Sequence, residues 1–264
     1  MKRIFFLSLF FIVVHTSKAQ YGEVIDISDA LQNTLDLKVA AIKIAKNYIY
    51  KALKVNYVAE NTDETLSKSE IALTRLEVYS QDHPEFQDNV NKLKKQWRKS
   101  RFLGVATPKR KYIPIVYKAI NDFFETTNQI ASHIKKTSNL NIIEYQQASI
   151  EMEILAQQLA FLYSLKVIGF DVPELENQIK KNKQNFQINL DKTFFAGENT
   201  IEITQYLKAI QADWEMFKQT VENKDISKSL NTIYILSNKI SDNSRKVALL
   251  YIEKAKKELK KKKQ

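Results

Sequence analysis

Residues Ile154 to Phe170 read ILAQQLAFLYSLKVIGF, and this stretch decides the fold because it has an earlier partner. Ile44 to Leu53 read IAKNYIYKAL, and Leu159 to Ile168 read LAFLYSLKVI. At an offset of 115 they align Ile44 with Leu159, Ala45 with Ala160, Tyr48 with Tyr163, Lys51 with Lys166, Ala52 with Val167 and Leu53 with Ile168. Both segments are rich in helix formers, follow a long lead-in and precede a turn. A self-match that continues into further segments marks a duplicated domain rather than a single enzyme core.

The match does continue. Trp97 in NVNKLKKQWRKS pairs with Trp214 in QYLKAIQADWEM, alongside Val90/Leu207 and Leu93/Ile210. Further on, Ile120/Ile233, Phe123/Leu236 and Ile134/Val247 line up. The offset drifts only between about 113 and 117, as altered loops between matching helices would give. Both tryptophans read as core anchors.

Only four glycines and four prolines occur in 264 residues, too few turn signals for a β-sandwich. In the first segment Val24, Ile27, Leu31, Leu35, Ile42, Ala45, Ile49 and Ala52 recur at threes and fours, with one gap at Lys38. That is the stripe of a bundle helix. Breakers and capping residues predict eight helices, beginning near residues 23, 63, 82, 114, 141, 171, 199 and 225. Gly104, Gly169 and Gly197 each follow an apolar-periodic segment, where a C-terminal cap is expected. Asp82-His83-Pro84-Glu85 predicts a capping box at the third helix.

The expected class is therefore all-α, with two tandem up-down four-helix bundles over residues 20–138 and 139–253. The 54 residues from Ile115 to Ile168 contain no Gly or Pro, and SNLN at Ser138 to Asn141 is their one weak point. Either a long shared helix joins the bundles or a tight turn folds them side by side. The unbroken run favours the shared helix.

Residues 1–19 resemble a signal peptide. Lys2 and Arg3 precede an apolar run from Ile4 to Val14, and Ser17 and Ala19 supply small side chains for a cut before Gln20. Eleven apolar residues are too few to span a bilayer, which takes roughly 20. The alternative is a retained anchor. The mature chain is expected to be periplasmic or secreted, in an oxidising compartment that it meets with no cysteine.

Much of the net charge of +11 sits at the end: Lys254 to Gln264 holds seven lysines and one glutamate. A basic tail on a nearly neutral body does not suggest a nucleic-acid domain, where positive charge covers a folded face. The tail is either a solvated helix end or an electrostatic contact to an anionic membrane or wall polymer.

The first-helix segments resemble the N-terminal domain of type IV pili methyl-accepting chemotaxis transducers, the PilJ-type domain. Ile42-Lys43-Ile44-Ala45-Lys46-Asn47-Tyr48 is similar to the QRMAKAY part of that family's first-helix signature, and Gln157 to Tyr163 is similar to it again. The resemblance implies two all-helical, extracytoplasmic sensory modules covering nearly the whole mature chain. The family's two signature arginines correspond to Lys38 and Lys43 in the first copy and to Glu153 and Gln158 in the second, and its glycine to Leu35 and Ile150. An arginine fork grips a planar anion through two parallel hydrogen bonds, which lysine and glutamate do not reproduce.

The candidate ligand-binding residues are accordingly Lys38, Lys43, Tyr48, Glu153, Gln158 and Tyr163. Lys38 is either a ligand-facing cation or a side chain snorkelling from the stripe; the tyrosines are either ligand contacts or core aromatics. No catalytic constellation is present: His83 and His133 stand apart from acidic clusters, and no phosphate loop, GxSxG elbow or HExxH pair occurs. Neither a cofactor nor a metal is implied. Two functions stay open, a non-enzymatic sensor-like module that binds a small ligand or an envelope or signalling protein, a pilus-related one among them by the resemblance, and a structural scaffold. A polar pocket around Lys38 or Glu153 distinguishes them.

Overall fold

The computed structural model describes residues 25–55, 62–137, 141–197, 199–222 and 226–261. The expected signal peptide lies outside them. All the regular structure is helical, with eight α-helices among the described residues: α1 (Ile27–Ala52), α2 (Thr62–Asp82), α3 (Gln87–Val105), α4 (Ile113–Thr137), α5 (Asn141–Val167), α6 (Leu175–Phe194), α7 (Ile201–Val221) and α8 (Ile226–Lys261). Short 3-10 turns at Pro84–Phe86 and Arg110–Tyr112 lead into α3 and α4.

Helix α1 is buried on nearly every side, because it packs on α2, α3, α4 and α5. Its sequence allows this: DLKVAAIKIAKNYIY alternates aliphatic, aromatic and small residues around the whole circumference. α5 is the corresponding hub of the second half, packing on α6 and α8, while α7 packs on α8. Side-chain contacts give the directions. Gln146 Nε2 donates to Gln32 Oε1 at 2.9 Å, and the Tyr50 hydroxyl donates to the Ala160 carbonyl at 3.3 Å, so α1 and α5 run parallel. Lys38 meets Asn128 and Tyr48 meets Lys109, so α4 runs antiparallel to α1.

These directions correct the expectation of a long shared helix. α4 ends at Thr137, α5 begins at Asn141, and the chain reverses between them. Both helices carry an apolar face that is buried against α1, and a straight rod of ~80 Å could not bring both back to one partner. Residues 138–140 themselves lie outside the described set.

Equivalent positions in the two halves share local detail. α1 and α5 end in the same left-handed cap, formed by Lys54 at φ 57° and by Gly169 at φ 66°. In each cap the next residue's amide reaches back five positions, Val55 to Tyr50 and Phe170 to Leu165, both at 3.1 Å. Buried Trp97 donates from Nε1 to Glu70 Oε1 at 3.0 Å, and buried Trp214 donates to Gln187 Oε1 at 3.0 Å. Both bonds run from the third helix of a half to its second, across the same 27 residues.

Two local expectations differ. Gly104 lies within α3 instead of capping it, where a Cβ would meet Thr62 Cγ2 at 3.3 Å. Asp82 belongs to the end of α2, and His83 precedes the 3-10 turn with no side-chain cap. There the His83 ring stacks on Tyr79 at 4.1 Å, so packing has displaced the capping box. The basic tail expected from Lys254 continues α8 as far as Lys261.

Candidate functional site

The seam where α1, α5 and α8 meet is polar inside. Asp36, Lys43, Lys46 and Asn47 face it from α1, Glu153 and Gln157 from α5, and Tyr234, Asn238, Ser241 and Arg245 from α8. On α8 these four residues recur at steps of four, three and four, a polar stripe running beside the apolar one.

Glu153 is the centre, only 2% exposed. Arg245 Nε stands 2.8 Å from its Oε2, in an ion pair that falls short of a straight hydrogen bond. Lys43 Nζ lies 3.7 Å from Oε1, and the Ser241 hydroxyl donates to Oε1 at 3.3 Å. Burial pushes the carboxyl pKa up; Arg245 and Lys43 pull it back, Asp36 adds to the rise and Ser241 opposes it, leaving it raised. Burial disfavours the Arg245 cation, but Glu153 and Asp36 outweigh burial and raise its pKa. The guanidinium thus bridges α1 and α5 through Asp36 and Glu153.

One turn further along, fully buried Lys46 donates to Asn238 Oδ1 and lies over the Tyr234 ring at 4.2 Å. Gln157 Nε2 donates to the Ser237 carbonyl at 3.2 Å and to Asn238 Oδ1 at 3.1 Å, while its Oε1 has no donor. The Tyr234 hydroxyl donates to Asn47 Oδ1 at 3.2 Å, and its ring packs on Tyr50 at 5.1 Å.

Beside this network α1, α2, α5 and α8 enclose a cleft of about 930 Å³. Asp36, Lys43 and Glu153 form its floor and Ile235, Asn238, Lys239 and Asp242 one wall, with Thr65, Lys68 and Ser69 of α2 opposite. That volume falls within the range of small-molecule sites. The walls offer donors and acceptors of both charges and an apolar shelf. No group of three or more His, Asp or Glu side chains among the described residues is placed to hold a metal.

Of the six candidate residues, the fold brings Lys43 and Glu153 together in this cleft. Lys38 is buried elsewhere, between α1, α4 and α5, where its ammonium donates to Asn128 Oδ1 at 2.9 Å and lies 3.8 Å from Glu151. It neither snorkels nor faces the cleft. Tyr48 holds the loop before α4: its hydroxyl accepts from Lys109 N at 3.0 Å. Tyr163 packs edge-on against Phe217 at 6.1 Å, and burial, with Glu176 and Glu222, pushes its pKa up to about 12. Gln158 is half-buried outside the cleft; its neighbour Gln157 joins the network. Asp36, Asn238 and Arg245 lie outside the signature segments, and Lys46 and Gln157 lie within them without being singled out, although the polar stripe on α8 carried a signal.

No family model, no curated protein and no solved structure matches the chain. None of the described helices is long and apolar enough to cross a membrane.

Proposed function

We propose that this chain is an exported, non-enzymatic binding module built of two tandem four-helix bundles, α1–α4 and α5–α8, that takes a small polar ligand in the cleft at their seam. One observation carries the reading: Glu153, almost wholly buried, forms the floor of an open polar cleft of about 930 Å³ instead of a filled core. A carboxylate withdrawn from water costs folding energy unless paired, and here the pairing cations Lys43 and Arg245 also line the cleft. The equivalent caps and tryptophan bonds of the two halves support a duplication, in keeping with the PilJ-type resemblance. The signal would pass to a separate envelope or signalling protein through contacts on the helix faces.

The test is a ligand-dependent melt. A panel of amino acids, small carboxylates and amines is added to the wild type and to Ile235→Trp, which fills the cleft from a partly exposed wall position. The reading expects at least one compound to raise the wild-type melting temperature and none to raise that of the variant. No shift with any compound, together with identical melts of the two proteins, would leave the scaffold reading in possession.

A further inference from the structure

Between Asp88 and Asp122 the chain carries ten lysines and arginines and not one acidic residue. The fold gathers the middle of this run into one corner, where α3 ends and α4 begins. On α3, Arg98, Phe102 and Val105 recur at steps of four and three and so share a stripe, with Lys99 and Arg101 beside it. Across the loop, Lys109, Arg110 and Lys111 lead into Tyr112 and Ile115, again one turn apart. Phe102 and Val105 are 66% and 67% exposed, Ile115 59%. Such a cluster of large apolar side chains left in water, ringed by cations, is the mark of an interaction surface.

The corner is also held in place. Tyr48 fixes Lys109 from below, the Tyr112 amide bonds to the Lys109 carbonyl at 3.0 Å, and the Ala106 amide bonds to the Phe102 carbonyl at 3.0 Å. Arg98, Lys99, Lys109, Arg110 and Lys111 are exposed and form no ion pair among the described residues. Only Arg101, 3.4 Å from Glu70, does so at this corner. The geometry points to a docking site for an anionic lipid surface, with Phe102, Val105, Tyr112 and Ile115 entering the interface and the cations meeting lipid phosphates. Apolar anchors within a basic rim gain from burial and from charge together. Valine and isoleucine anchors favour lipid over nucleic acid, whose bases are gripped by stacking aromatics. This site is independent of the cleft. It also lies at the opposite end of the molecule from the lysine-rich end of α8, because α8 runs antiparallel to α5: Gln157 meets Asn238 and Tyr145 meets Tyr251.

The chain has no cysteine, so one introduced cysteine carries one probe. An environment-sensitive fluorophore on Thr107→Cys, within the exposed loop, reports on the corner, and the same probe on Gln205→Cys of α7 serves as control. With vesicles of equimolar phosphatidylglycerol and phosphatidylcholine at low salt, the Thr107 probe should shift to the blue and be quenched from within the bilayer, while the control should not. Changing Lys109, Arg110 and Lys111 to Gln should weaken this on the order of 100-fold, with the helical circular dichroism unchanged. The proposal is overturned if the Thr107 probe stays unmoved while the protein sediments with the vesicles, which would place attachment elsewhere. It is equally overturned if the triple variant docks as well as the wild type, or if a DNA oligonucleotide produces the same shift.

Discussion

Replacing Arg245 with methionine tests the electrostatic reading of the seam. The guanidinium is the best-placed cation around Glu153, and its loss leaves that carboxylate with Lys43 at 3.7 Å and the Ser241 hydroxyl at 3.3 Å. Removing one partner of a buried ion pair costs about 3–5 kcal/mol, because a charge remains buried without compensation. Two features favour the lower end: a quarter of the Arg245 side chain is exposed, and Lys43 remains. Asp36, also left behind, is one-third exposed and is taken up by water. We expect a loss of about 3 kcal/mol, or a melting temperature about 6–12 °C lower for a chain of this size.

The pH dependence has a definite sign. Burial raises the Glu153 pKa in the folded state, so the folded protein holds that proton more tightly than the unfolded chain. The stability tied to this group is therefore fully present below the ordinary carboxylate pKa and is lost as pH rises through the folded value. Without Arg245 the folded value climbs further, so the variant's deficit should be larger at about pH 8 than at about pH 5. Urea denaturation at the two pH values measures it. Adding Glu153→Leu should recover most of the loss, since apolar side chains often replace a buried pair without cost. A deficit under about 1 kcal/mol at both pH values, or a double variant no better than the single one, would refute the reasoning.

Gly169→Ala should cost about 1 kcal/mol from backbone strain alone, since no atom lies within 4 Å of the added Cβ, whereas Lys54→Gly at the matching cap should gain about 0.5 kcal/mol; urea melts read both. Trp97→Phe and Trp214→Phe should each lose about 2 kcal/mol, and a large difference between them would argue against equivalent roles. Lys38→Leu should be neutral or stabilising, because exposed Asn128 and half-buried Glu151 regain water; a loss above about 1 kcal/mol would show that the ammonium is needed. Intact mass of the exported protein should begin at Gln20, and retention of Met1 to Ala19 would contradict export by cleavage.

The helices were readable because each carries its own punctuation and stripe: Pro84, Pro114 and Pro173 near helix starts, Gly169 after α5, and apolar residues at threes and fours between them. The reversal between α4 and α5 was not readable, because SNLN is compatible with a helix and only the pull of both apolar faces toward α1 decides against one. The seam was hidden for a related reason. Glu153 and Lys43 could be singled out by alignment with signature positions, but Arg245, Asp36 and Asn238 act only through which faces of three distant helices meet. Lys38 shows the converse. An ammonium interrupting an apolar stripe looks like a ligand contact, until the fold supplies Asn128 and Glu151 from neighbouring helices.

Net charge misleads in the same way, because a sum discards position. Outside the lysine-rich end the chain carries a net charge of only +5, which by itself does not suggest a basic binding face. Yet that balance is made of an acid-free run from Asn89 to Asn121 set against acids placed elsewhere. A charge acts within a Debye length of about 10 Å, so a docking partner responds to the local corner and not to the total. The acid-free run and the exposed Phe102 and Val105 therefore belong to one argument. Lys94, Arg101 and Lys118 of this run find acids that lie outside it, but Arg98, Lys99, Lys109, Arg110 and Lys111 form no ion pair among the described residues; with apolar side chains that have no core to enter, they are left for something outside the chain.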